Sequence, residues 1–167
     1  MSGLGVHFAI SQHEAAQIRS IEDQRERLQF VREAIERPYF AFGPELRAES
    51  DRSWDAMHRS LSDGRLDWNG GTYPLNHVVL GGERLYAGDD YIVSLKTTEQ
   101  VRDIAEALAG IRELAFRYRY FAIDAQSYPV PISDEDFRYT WEWFQGVRKL
   151  YAYAAQAGRC VLFTAEP

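Results

Sequence analysis

Apolar positions recur along this chain with two clear periods. From Ser133 onward, Phe137, Trp141, Phe144, Val147, Tyr151 and Ala155 repeat every three or four residues, the spacing that stacks side chains on one face of a helix. Trp143, Leu150 and Ala154 widen that face beyond the stripe of an ordinary surface helix, so it needs cover from a sheet and from another helix or subunit. Ser133 and Asp136 suit the helix start, and Gly158 suits its end. Cys160–Thr164 is an uninterrupted apolar run that predicts an interior strand. At the other end, Leu4, Val6, Phe8 and Ile10 alternate with small residues and His7, predicting a half-buried strand.

Between these ends the pattern is mostly helical. Ser11 and Glu14 form a capping box opening a helix whose stripe runs to about Arg37, with two segments meeting near Asp23. Pro38 is expected to end it, Tyr39–Phe42 to cross over, and Gly43-Pro44 to turn. Ser50 or Asp51 caps the next helix, which carries Trp54, Met57, His58 and Leu61. Leu75–Leu80 and Tyr91–Leu95 read as strands, and Thr97 with Gln100 opens a further helix through Ile111. Glu113–Phe121 follows as a short helix rich in Arg and Tyr. The sum is an α+β fold in a single domain spanning 1–167, with a mixed or antiparallel sheet of about four strands, both chain-terminal strands included, and four or five helices.

Composition narrows the function classes. A net charge of -6 and the lack of a basic stripe argue against nucleic-acid binding and suit a basic protein partner. No apolar run reaches membrane-spanning length, and the N-terminus has no signal-peptide pattern, so a cytoplasmic location is expected. The single cysteine, Cys160, lies inside an apolar run and reads as an inert core thiol. The four histidines are scattered, and His13-Glu14 lacks the second histidine of a zinc protease motif because Gln17 stands in its place. Neither a metal nor a cofactor is expected. Gly81-Gly82 follows an apolar run without the Lys-Ser/Thr of a phosphate loop.

The remaining polar cluster is Asp51, Trp54 and His58 on one helical face, with Asp55 one turn before His58. With His77, Gly81 and Gly82 opposite, these residues make a candidate pocket for a small molecule or a partner. Within the long helix Arg148 falls in the apolar arc, and its guanidinium is expected to be held by a carboxylate or by backbone carbonyls of another element.

The order Asp51-x-x-Trp54-x-x-x-His58, Val79-Leu80-Gly81-Gly82, then Tyr91…Leu95-x-Thr97-x-Glu99-x-Val101, closing with the aromatic helix and apolar strand, resembles the YfbM-like family of small bacterial proteins. The resemblance implies a one-domain α+β fold and brings no catalytic residues. Taken together, these readings favour a non-catalytic binding module, immunity- or antitoxin-like among other regulatory roles. The alternative is a small-molecule-binding protein or enzyme using the Asp51/Trp54/His58/His77 region.

Overall fold

The computed structural model describes residues 3–167. The apolar run near the C-terminus, β5 (Cys160–Ala165), lies in the middle of a five-stranded sheet of order β2-β1-β5-β4-β3. It pairs antiparallel with β1 (Gly5–Ile10) on one side and with β4 (Ile92–Lys96) on the other. The flanking strands β2 (Arg47–Asp51) and β3 (Glu83–Arg84) are also antiparallel to their neighbours.

Both faces of the sheet are covered, so β1 is buried along its whole length rather than on one side. Val6, Phe8, Ile10, Val93, Leu95 and Leu162 pack against α1 (Gln12–Ser20), α2 (Gln24–Phe30) and the residues that follow. Ala9, Val161, Phe163 and Ala165 meet the helices of the other face. Those are α4 (Trp54–Leu61), α5 (Thr98–Ala109), α6 (Glu113–Phe121) and α7 (Asp134–Ala157). The capping boxes at Ser11/Glu14 and Thr97/Gln100 form as the sequence predicts, as does the Ser133 cap. Gly158 closes α7 in the left-handed conformation, φ 65°.

Five local readings change. Pro38 does not end its helix: a π turn over Val31–Glu36 leads into α3 (Arg37–Phe42), with the Arg37 N–H reaching back to the Arg32 carbonyl. The wider turn relieves the clash between a proline ring and the carbonyl four residues before it. Tyr39–Phe42 is therefore helical rather than a crossover. Residues 47–51 form a fifth-strand edge that a charged Arg-Ala-Glu-Ser-Asp segment does not announce. Neither Ser50 nor Asp51 caps α4: the Ser50 hydroxyl donates to the Gly5 carbonyl, Asp51 takes φ 46°, and Ser53 stands at the cap without a side-chain bond. Lastly, 75–80 is not a strand but a short 3-10 turn, Leu75–His77, followed by buried irregular chain.

Arg148 is held by a carbonyl of another element. It donates to the Leu108 carbonyl at the end of α5 and to Gln145 on its own helix, both at 3.1 Å, while lying over the Trp141 and Phe144 rings. Among the described residues, no carboxylate takes part. Arg148→Met should therefore cost about 1.5–3 kcal/mol, the value of a charged hydrogen bond, and not the ~3–5 kcal/mol of a severed buried ion pair. Urea denaturation of the two proteins measures it.

Candidate functional site

The residues singled out in the sequence are split by the fold. Trp54 is fully buried; its indole N–H donates to the Gly3 carbonyl at 2.9 Å and its ring packs on Phe163. His58, on the next turn of α4, is also fully buried. Its Nε2 donates to the Asp67 carbonyl at 2.8 Å, which fixes the tautomer and leaves Nδ1 without a partner. Burial pushes this imidazole down to about 4. Asp55 does not serve it as an acid–base partner, because its carboxylate accepts from Arg59 at 2.5 Å in a buried pair.

His77 sits on the 3-10 turn, which packs against α4. Its Nδ1 donates to the Asn76 side chain at 2.7 Å, and its ring meets Tyr73 edge-on at 5.0 Å. Gly81 and Gly82 take φ 75° and 68°, and both are closely approached: a Cβ on Gly81 would lie 2.7 Å from the Asn76 carbonyl oxygen, and one on Gly82 2.5 Å from that of Leu95. The 3-10 turn touches α4, whereas Gly82 is pressed against β4.

Asp51 goes elsewhere. Its carboxylate accepts from the Tyr139 hydroxyl of α7, in a cleft of about 350 Å³ that Arg52, Tyr128 and Asp136 also line. Burial and that carboxylate push Tyr139 up to about 12. Asp136 in turn accepts from both Tyr120 and Tyr128, at 2.6 and 2.7 Å.

What fills the space between β4 and the glycine turn is a buried polar centre built on Lys96. This lysine has no exposed surface, and its Nζ donates to the Val79 carbonyl and, at 2.6 Å, to Ser94 Oγ. Ser94 passes the chain on to the Gly81 carbonyl at 2.6 Å. The Val78 carbonyl accepts from His7 Nε2 at 2.8 Å and from the Tyr151 hydroxyl at 2.7 Å. The carbonyls of Val78, Val79 and Gly81 in this irregular segment are thus satisfied by side chains from β1, β4 and α7, as a buried segment outside a ladder requires. Burial drives Lys96 well below its ordinary range, and burial with the nearby Lys96 drives His7 down to about 3. The Lys96 amine and the His7 imidazole held this way clamp the turn.

His7, Lys96, Ser94 and Tyr151 were outside the candidate set. A signal existed for Lys96: by the two-residue period it shares a strand face with Ile92 and Ser94, opposite Val93 and Leu95. Among the described residues, no three or more His, Cys, Asp or Glu side chains are grouped to hold a metal ion. No helix among them is long and apolar enough to cross a membrane.

The match to a family covers this architecture from end to end. A family model described as a domain of unknown function, DUF1877, matches residues 1–164. The chain belongs to this family. The crystal structure of YfbM from Escherichia coli, titled a protein of unknown function, superposes with a TM-score of 0.64 at 18% identity, covering 97% of this chain and 99% of that one. At that identity the likeness is one of fold, and it bears out the YfbM-like resemblance. No curated protein matches the chain. The family therefore contributes an architecture and leaves the reading of function to the surface.

Proposed function

We propose that this family member is a non-catalytic protein-binding module, and the outward face of α6 is the observation that carries the reading. Phe116 and Tyr120 turn inward and are buried. Leu114, Tyr118 and Phe121 fall one turn apart on the opposite side and are 78%, 82% and 43% exposed. Single exposed apolar residues are ordinary, but three at i, i+4 and i+7 are the anchors of helix-in-groove recognition. Arg117 steadies the stripe: its guanidinium pairs with Asp134 and lies 4.7 Å from the Phe121 ring centre. Tyr, Phe and Arg are the residue types that concentrate binding energy at interface centres.

The net charge of -6 would steer a basic partner toward the domain. An immunity- or antitoxin-like role, in which an acidic domain covers a basic protein, fits that balance. The second reading is a small-molecule site, supported by the positive-φ Asp51 beside its cleft.

A photoreactive phenylalanine analogue at Tyr118 tests the first reading in cells of the source organism, with one at Gln29, exposed on the other side of the sheet, as control. A discrete adduct is expected from position 118 alone, and Leu114→Glu should remove it. No adduct at 118, or one that survives Leu114→Glu, would sink the reading.

A further inference from the structure

A second unpartnered face lies on the far side of α7. Strand β2 is the outermost strand of the sheet on that side, and α7 crosses over it. A groove of about 520 Å³ runs between them, floored by Ala48 from β2 and by Trp143, Gly146, Leu150 and Tyr153 from α7. Trp143 is only half-buried and Tyr153 is 42% exposed, so the wide aromatic arc of α7 is incompletely covered by its own chain. Gly146 is exposed, and a Cβ there would touch only the Ala48 Cβ, at 4.0 Å. Glu142 and Lys149 are exposed on the same stretch, and neither has an ion-pair partner among the described residues.

We propose that this face is covered by a second copy of the chain. The two β2 strands pair antiparallel about Ala48, and the two α7 helices cross antiparallel at Gly146. In a two-fold interface, residue i meets j and j meets i, so the surface must complement itself. It does so on both layers. About Ala48, Arg47 comes opposite Glu49 of the second copy, and Glu49 opposite its Arg47. About Gly146, Glu142 comes opposite Lys149 of the second copy to within one residue, and Tyr139 opposite its Tyr153. A glycine at the crossing point puts no side chain between the helix axes. The two centres of symmetry are in contact, Gly146 lying over Ala48, so one axis serves strand and helix together. Pairing also removes an open sheet edge, which otherwise templates uncontrolled association.

Sedimentation velocity on the intact chain tests this, the expected species having twice the 19.2 kDa of one copy. Glu142→Lys alone, or Lys149→Glu alone, sets like charges against each other and should weaken the dimer at least tenfold at low salt. Mixing these two single variants should restore a one-to-one dimer, because each then supplies the charge that the other lacks. Gly146→Trp should abolish association while the circular dichroism spectrum keeps its native shape; if that variant misfolds, the charge pair decides. A wild-type chain still monomeric at about 1 mM overturns the proposal. So does a dimer indifferent to both charge changes, or a mixture that fails to recover.

Discussion

A chain ended after Gly158 should show no cooperative thermal transition. The lost residues include all of β5, the strand that joins the β2-β1 pair to the β4-β3 pair. Its side chains also join the two cores: Val161, Phe163 and Ala165 belong to one, Cys160 and Leu162 to the other. Each large apolar side chain returned to water costs about 1.5–3 kcal/mol. Three or four of them reach the ~5–15 kcal/mol by which a whole domain is stable. The backbone groups of β1 and β4 that faced β5 are stranded as well. Weak dispersion in a proton NMR spectrum and a sloping, featureless melt are the expected signs. A truncated chain that melts cooperatively near the parent temperature would show that β5 is dispensable.

Acidification should be the second large effect. His7 and His58 are neutral in the folded chain, pushed down to about 3 and about 4. In the unfolded chain each takes a proton near its ordinary pKa of about 6.5. Between those values the unfolded state binds more protons, so stability is fully present above about pH 6.5 and falls as the pH drops. Each histidine contributes a slope of up to about 1.4 kcal/mol per pH unit, which puts the combined loss by pH 4 on the order of 5 kcal/mol. Lys96 acts with the same sign at higher pH, since its folded pKa is depressed too. Tyr151, raised by burial, acts with the opposite sign above about pH 10. The urea midpoint of the wild type should therefore drop steeply from about pH 7 to about pH 4.5, and that of a His7→Gln, His58→Gln double variant less steeply. Equal slopes for the two proteins would mean that neither imidazole is held neutral.

The parts of the fold legible in the sequence are those whose burial follows a local period. α7 and β5 each bury a face that recurs every three to four residues or along an unbroken run, and both stand where the pattern puts them. Residues 75–80 mislead for the opposite reason. They are apolar enough for a strand, but the carbonyls of Val78, Val79 and Gly81 are met by His7, Lys96, Ser94 and Tyr151, partners distant in the chain. Nothing local announces such partners. β2 hides because an edge strand in water is free to be polar. The candidate pocket failed to open for a related reason: Trp54 and His58 share a helix face, as their spacing says, but that face looks into the core. Asp51 lies outside the helix, where a positive φ turns it toward Tyr139.

The sealing of Lys96 has a consequence for the chemistry of the surface. The chain has two lysines, Lys96 and Lys149. An amine locked between Val79 and Ser94 is closed to acylating reagents and to enzymes that acetylate lysine, whereas Lys149 stands exposed on α7. A folded molecule with nineteen lysine and arginine residues thus offers one lysine amine to such chemistry. In the proposed dimer, acylating it would erase the positive charge set opposite Glu142 of the second copy, so a single modification would weaken the pairing.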